Sequence, residues 1–162
     1  MFSITYLASS DSIHSHKWIS FFSKKGYKIN WISLTDKNRP KGNNIKFISF
    51  KKPNNFFSLI LTIVKVYYLS KKLNSDFVHV HSVGNYGLIG RFFKAKFKIL
   101  TPWGSDVLLN RKNIFKFFFI KNFLNNADLI TTDGIHMKEE IINFLKKPIP
   151  IKIINFGTDI NK

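Results

Sequence analysis

The sequence contains no cysteine, only nine acidic residues and no apolar run long enough to cross a bilayer. Without cysteine the chain forms no disulfide, no thiolate zinc site and no cysteine nucleophile, which suits a reducing cytoplasm. The longest apolar stretch, 56–69, is interrupted by Lys65 and falls short of the roughly 20 residues that a membrane-spanning helix needs. No basic segment precedes the apolar residues 1–8, so we expect no export signal. These absences predict a cytoplasmic protein that is soluble or peripheral on the inner face of a membrane.

Three common motifs of catalytic and nucleotide-binding sites are also missing. The sequence has no G-x-x-x-x-G-K-[ST] phosphate loop, no G-x-G-x-x-G in its first strand-to-helix turn and no G-x-S-x-G serine elbow. Gly84, Gly87 and Gly90 are three residues apart, but beside Tyr86 and Leu88 they indicate the start of a closely packed helix. The first turn therefore disfavours a conventional dinucleotide site.

What the sequence does contain is an alternation of short apolar runs with longer helical patterns. The 162 residues are 44% apolar, which suits one globular domain, and no repeat or low-complexity linker divides them. Strands separated by helices indicate βαβ units, so we predict an α/β fold, a Rossmann-like parallel sheet with helices on both faces. The predicted strands are 2–8, 27–34, 45–50, 76–81, 96–101, 128–131 and 151–155, and the helices are 13–26, 54–73, 86–94, 113–125 and 135–146, with a loop at 102–109.

Polar side chains follow three of the predicted strands. Ligands of open parallel sheets bind outside the carboxyl ends of the strands, so these side chains would line one polar cleft suited to a polyhydroxylated ligand. They are Ser9, Ser10, Asp11 and His14 after the first strand, His79 and His81 in the fourth, and Trp103, Gly104, Ser105 and Asp106 after the fifth.

Each of these residues also has a purely structural interpretation. The serines and Asp11 could cap the first helix, His14 could lie in the core, and Asp106 could cap the next segment. His79 and His81 are two residues apart, so on a strand both point to the same face and could hold a metal. No third ligand stands at a recognisable spacing, so we expect no metal site, and we interpret His79 as structural.

Five segments in order carry a resemblance to a known family. They are 6–14 (YLASSDSIH) with Trp18, 76–81 (DFVHVH), 100–108 (LTPWGSDVL), 127–131 (ADLIT) and 155–159 (NFGTD). Together they resemble the N-terminal domain of the family-four glycosyltransferases, which are retaining enzymes of the two-Rossmann GT-B fold. The resemblance extends over essentially the whole chain. It implies the transfer of a sugar from a nucleotide-sugar donor, with retention and without a metal or other cofactor.

The resemblance also assigns expected roles to the strand-end residues, with no catalytic residue among them. By likeness Ser9, Ser10, Asp11 and His14 lie near the acceptor, while His81, Trp103, Gly104, Ser105 and Asp106 lie nearer the transferred sugar. Trp103 departs from the histidine that many relatives carry there, although a tryptophan could stack on a sugar ring.

The same resemblance predicts how the chain divides. Residues 1–155 would form the N-terminal Rossmann-like domain and 156–162 would begin the crossover to a donor-binding domain that this sequence does not contain. We therefore expect the chain alone to be inactive, with a sugar or lipid-linked acceptor and a separate donor-domain chain as partners. The expected pathway is cell-surface or lipid-linked glycan synthesis.

The basic surplus, a net charge of +17, is concentrated in two apolar-rich segments. Lys51–Asn74 has five lysines and no acid, and Arg91–Asn126 has eight basic residues and one acid. In the second segment Lys112, Phe115, Lys116 and Phe119 would face an anionic membrane. The alternative is a phenylalanine-rich core helix with solvated lysines.

Two further interpretations of the charge follow. Nucleic acid is the obvious rival partner for so basic a chain, but no RNA- or DNA-binding signature is present, so we do not expect it. The second function class is a non-catalytic basic α/β module that binds a membrane surface or a partner chain.

Overall fold

The structure, a computed structural model, describes residues 2–40, 42–108 and 114–155, in which strands and helices alternate. The strands are β1 (Ser3–Leu7), β2 (Lys28–Ser33), β3 (Ile45–Ser49), β4 (Ser75–His81), β5 (Ala95–Thr101), β6 (Leu129–Thr132) and β7 (Ile151–Ile153). The helices are α1 (Ile13–Lys24), α2 (Phe56–Leu73), α3 (Asn85–Phe92), α4 (Ser105–Leu108), α5 (Ile114–Leu124) and α6 (Ile135–Ile142).

All seven strands are parallel and form one sheet in the order β3-β2-β1-β4-β5-β6-β7. The chain starts in the middle of the sheet, adds β2 and β3 on one side, and then returns past β1 to add the other four strands. Tyr6 of β1 lies opposite Trp31 of β2 on one side and opposite His79 of β4 on the other. The predicted Rossmann-like α/β fold is confirmed, and the direction of winding reverses between β1 and β4.

Helices cover both faces of this sheet, as predicted, but unequally. In the described part of the chain α1 alone packs on one face, where Ile19 lies against Tyr6, Ile29 and Trp31. Helices α2, α3, α5 and α6 share the other face and form the larger core, which includes Val66, Ile89, Leu124 and Ile141. None of the described helices has the length and apolarity that crossing a bilayer requires.

Some helix boundaries differ from those predicted from hydrophobic periodicity, and at α2 the reason is a capping side chain. Helix α2 begins two residues late because Asn55 caps it: Asn55 Oδ1 accepts the N–H of Ser58 at 2.8 Å, and Ser58 Oγ accepts the N–H of Asn55 at 3.1 Å. Helix α6 ends at Ile142, before the predicted 146. The prediction of a loop throughout 102–109 was wrong, since α4 occupies part of it.

Candidate functional site

The candidate site is the crevice between the carboxyl ends of β1 and β4, because open parallel sheets bind ligands where the strand order reverses. The strand order reverses there, so the loops that follow the two strands diverge and leave space between them. The loop after β1 leads into α1, whose first turn is held by Ser12, because Ser12 Oγ accepts the N–H of Ser15 at 3.4 Å. The first turn of α1 and the loop after β5 both border the end of β4, because Ser15 and Trp103 each contact His81.

Five aromatic side chains meet at this crevice and are called here the ring cluster: His14 and Trp18 of α1, His79 and His81 of β4, and Trp103 after β5. The ring centroids of His14 and Trp103 are 5.1 Å apart, and those of His81 and Trp103 are 5.6 Å apart. The ring centroid of His79 lies 4.5 Å from that of His81 and 4.9 Å from that of Trp18. The structure thus brings together His14, His81 and Trp103, which the sequence analysis selected from three separate segments.

The two histidines of β4 are buried and neutral. His81 Nδ1 is hydrogen-bonded to Ser15 Oγ at 3.1 Å, and its Nε2 has no hydrogen-bond partner among the described residues. Burial lowers the pKa of His81 to about 3, and repulsion from His14 adds to the effect. His79 Nε2 is hydrogen-bonded to Thr101 Oγ1 at 2.6 Å, and burial lowers its pKa well below the usual value. Neither imidazole is therefore a cation in the folded protein.

Among the described residues no three histidine, aspartate or glutamate side chains are placed so that they could hold a metal ion together. His79 and His81 do point to the same face of β4, as the sequence indicated, but their ring nitrogens bond to Thr101 and Ser15 hydroxyls. This arrangement agrees with the structural interpretation of His79.

The serine-rich loop after β1 divides into a buried part and a rim. Ser10 is buried: its N–H donates to Ser33 Oγ at 3.1 Å, and its hydroxyl donates to the carbonyl of Lys37 at 2.5 Å. Ser9 Oγ accepts the N–H of Asp11 at 3.2 Å, and the side chain of Asp11 is exposed. Ser9 and Asp11 therefore lie on the outer side of this loop, while Ser10 fixes the loop against the end of β2.

The loop after β5 is tied to the loop after β4 through Asp106. One carboxylate oxygen of Asp106 accepts the N–H of Val83 at 2.7 Å, and the other accepts the N–H of Trp103 at 2.9 Å. Gly104 has a φ of +78°, a conformation that favours glycine and lets the chain turn into α4. Ser105 is exposed at the start of that helix. Asp106 thus positions Trp103.

A recess beside His14 and Trp18 of the ring cluster also contains Lys17, Phe21 and Phe22, which the sequence analysis did not select. It has a volume of about 450 Å³ and is open to solvent. Its wall consists of His14, Lys17, Trp18, Phe21 and Phe22 of α1 with Ile154 and Asn155 after β7. Their spacing could have identified this wall from the sequence, because residues three and four apart share one face of a helix. The positions concerned are 14, 17, 18, 21 and 22. Lys17 adds a cationic donor to this wall.

The four residues predicted to face a membrane lie partly outside the described structure. Lys112 is outside the described residues, and so are the side chains of Phe115 and Lys116. Phe119 is exposed on α5, next to the exposed Phe118.

A parallel sheet wound outward in both directions from its first strand is the sheet of a Rossmann-like domain. Residues 3–134 match the glycosyl transferase 4-like family, and the chain belongs to that family. The resemblance inferred from the five sequence segments is confirmed. No curated protein matches the chain in sequence.

Two solved structures of sucrose-phosphate synthase from Thermosynechococcus elongatus share the fold. The first has a TM-score of 0.78 at 13% identity and aligns with 98% of this chain and 49% of its own. The second has a TM-score of 0.67 at 15% identity, with 98% of this chain and 90% of its own covered. The chain thus spans about half the length of the first of these proteins, and at such identity the likeness concerns the fold alone.

Proposed function

We propose that this chain is the acceptor-binding half of a retaining glycosyltransferase. In this proposal a glycosyl group passes from a nucleotide-sugar donor to an acceptor hydroxyl during cell-surface or lipid-linked glycan synthesis, without a metal or other cofactor. Membership of the glycosyl transferase 4-like family supports sugar transfer. The observation that carries acceptor binding is the approach of His14 to Trp103, 5.1 Å between ring centroids, at the point where the strand order reverses.

The chemistry of the crevice suits a sugar. An indole ring offers an apolar face to the C–H groups of a pyranose, and Trp103 is only partly buried. The Ser9 hydroxyl, the Asp11 carboxylate and the His14 imidazole offer the donors and acceptors that sugar hydroxyls require. Ser105 and the backbone of Gly104 border the same edge, nearer the proposed position of the transferred sugar.

In this proposal the remaining side chains of the crevice hold the loops and the Trp103 ring in place and do not contact the ligand. Ser10 anchors the first loop, Asp106 anchors the loop that carries Trp103, and His81 lies beneath the Trp103 ring. The donor nucleotide would be bound by a second domain, in the same polypeptide or in a separate chain. This division of labour makes acceptor binding the activity to test in the 162-residue chain.

The test is a titration of the chain with a panel of soluble mono- and oligosaccharide acceptors, without lipid, followed by amide chemical shifts. We expect shifts confined to residues around the crevice. Trp103→Ala should reduce the affinity for the best-binding acceptor about tenfold, since an aromatic contact contributes on the order of 1.4 kcal/mol. Trp103→Phe should retain most of the affinity.

Lys96→Ala supplies the control, because Lys96 lies at the amino end of β5 and pairs with Asp76 at 2.7 Å, on the opposite edge of the sheet. Its acceptor affinity should equal that of the unmodified chain. Shifts that avoid the crevice, or equal weakening by Trp103→Ala and Lys96→Ala, would contradict the proposed site.

A further inference from the structure

Helix α2 carries a second apolar face that the described part of the chain leaves uncovered. Its inner face packs in the larger core through Leu59, Ile63, Val66, Leu69 and Leu73. An amphipathic surface helix normally presents charged and polar residues on the side opposite its core contacts. Helix α2 instead presents exposed apolar side chains there: Phe57 is 71% exposed and Tyr68 60%, with Ile60, Leu61 and Val64 each above 40%.

These five residues form one continuous strip. At 100° per residue they fall within an arc of about 100° on the helix surface, and from Phe57 to Tyr68 they extend for about 16 Å along the axis. Phe56, 77% exposed, extends the apolar surface at the first turn. Isolated exposed apolar side chains are ordinary, but a contiguous strip of this kind marks an interaction surface. We call these five residues the α2 strip.

The charged residues of the segment that carries the α2 strip are all basic. Lys51–Asn74 contains no aspartate or glutamate, and its five lysines are all exposed: Lys51, Lys52, Lys65, Lys71 and Lys72. The ammonium group of Lys71 lies 4.6 Å from the ring centroid of Tyr67 and 5.7 Å from that of Tyr68, so cation and aromatic surface adjoin. The matching partner is apolar inside and anionic at its surface.

We propose that the α2 strip docks on the surface of an anionic phospholipid bilayer. Its phenylalanine, leucine and valine side chains enter the headgroup boundary, and its flanking lysines lie against lipid phosphates. A second copy of the chain fits less well, because two such helices would bring lysines together with no acid between them to offset the repulsion. This surface differs from the α5 residues selected from the sequence, and the inference does not depend on the proposed glycosyl transfer.

The position of α2 in the fold agrees with this orientation. The helix follows β3, whose carboxyl end is Ser49, and begins at Phe56, so its first turn lies at the carboxyl edge of the sheet. The crevice with the ring cluster opens at the same edge. A bilayer that lies along the α2 strip would therefore reach this edge of the sheet, where a lipid-linked acceptor would have to arrive.

The experiment is co-sedimentation with vesicles of phosphatidylcholine alone or mixed three to one with phosphatidylglycerol. We expect binding to the mixed vesicles, little binding to the neutral ones, and loss of binding when salt is raised from about 0.05 M to about 0.5 M. Replacing Phe57, Leu61 and Val64 together by serine should abolish sedimentation. Lys71→Ala with Lys72→Ala should weaken binding about 30-fold, near fivefold per lysine.

The matched control lies on α1, on the opposite face of the sheet. There Phe21 is 56% exposed and adjoins the exposed Lys24 and Lys25. Phe21→Ser and the pair Lys24→Ala with Lys25→Ala should leave vesicle binding unchanged. Circular dichroism and thermal unfolding of every variant verify that the fold is retained, which exposed positions should allow.

Several results would overturn the proposal. They are failure of the unmodified chain to sediment with anionic vesicles at low salt, equal binding to neutral vesicles, and equal loss in the α1 and α2 variants. A lipid-free dimer abolished by the serine substitutions would assign the α2 strip to self-association instead. Since the acceptor titration contains no lipid, either proposal can fail while the other stands.

Discussion

At the scale of single residues, the buried pair His79 and His81 has the clearest physical consequence. Both rings are almost fully buried beside Tyr6, whose hydroxyl also has its pKa raised by burial. In the unfolded chain a histidine has a pKa near 6.5, whereas in the folded chain that of His81 is about 3. Below about pH 6.5 the unfolded state therefore binds protons that the folded state does not, so acid favours unfolding.

We expect the free energy of unfolding to fall as the pH is lowered from about 7 to about 5. His81→Asn should reduce this slope by up to about 1.4 kcal/mol per pH unit, the limit for one proton. Urea unfolding at a series of pH values measures it. Asp76, whose pKa Lys96 and Ser3 lower to about 2, adds its own loss only below about pH 4.

At about pH 8 the histidines are neutral in both the folded and the unfolded chain. Near that pH the free energy of unfolding should therefore change little with pH, in the unmodified chain and in the variant alike. An unmodified chain whose stability does not change between pH 7 and 5 would contradict burial of neutral imidazoles.

The residue scale also separates what spacing could predict from what it could not. The strand-end rule placed His14, His81 and Trp103 at one edge, because residues after parallel strands meet there whatever their distance in sequence. It did not show that Ser10 is buried by contacts with Ser33 and Lys37, or that Asp106 binds the N–H of Val83. Those partners lie 23 to 27 residues away, so local pattern cannot identify them.

At the scale of elements, close packing of α3 on the sheet depends on one glycine. A methyl group at Gly90 would lie 2.6 Å from Val80 Cγ2, nearer than side chains tolerate, and would also be in tight contact with Leu7 Cδ1 at 3.3 Å. The sequence indicated a closely packed helix from the glycine spacing. It did not indicate that Val80 of β4 is the residue in contact.

Gly90→Ala should destabilise the fold by about 1–3 kcal/mol, although alanine is the better helix former by about 1 kcal/mol. Chemical denaturation measures the difference. Gly134→Ala is the matched control, since nothing lies within 4 Å of the added methyl group, and it should change stability by less than about 1 kcal/mol. A more stable Gly90→Ala protein would show that α3 does not pack so tightly.

Helices α2 and α5 show why apolar pattern alone did not identify the exposed surface. The described part of helix α5 has apolar side chains on more than one side: Ile120, Phe123 and Leu124 are buried while Phe118 and Phe119 are exposed. Helix α2 also has more apolar residues than one face can use. Which face meets the core depends on the neighbouring strands and helices, so only the assembled sheet distinguishes the two sides.

At the scale of the whole molecule, the chain aligns with about half of a longer protein. It spans 49% of the first sucrose-phosphate synthase chain, and its crevice opens at one edge of a single sheet. The proposed reaction needs a donor site opposite that edge. The high net charge of +17 also belongs to this scale, because a charge of this size attracts anionic surfaces over a long range.

The purified 162-residue chain should therefore neither transfer nor hydrolyse nucleotide sugars. Release of free nucleotide from a panel of donors, with and without the acceptors found by titration, measures this. A two-domain family member assayed in parallel is the positive control. Turnover by the chain alone that Trp103→Ala removes would contradict the division into acceptor and donor halves.

The sequence by itself determined the fold class, the order along the chain of the strands and of every described helix except α4, the family and the edge at which the candidate site lies. These depend on hydrophobic periodicity, on turn residues and on the rule that parallel strands end together, all of which are local or topological. The tertiary structure alone decided which polar groups are buried, which loop Asp106 holds and which face of α2 remains uncovered. Each of these is set by contacts between segments far apart in sequence, where packing and burial select among side chains that local pattern leaves equivalent.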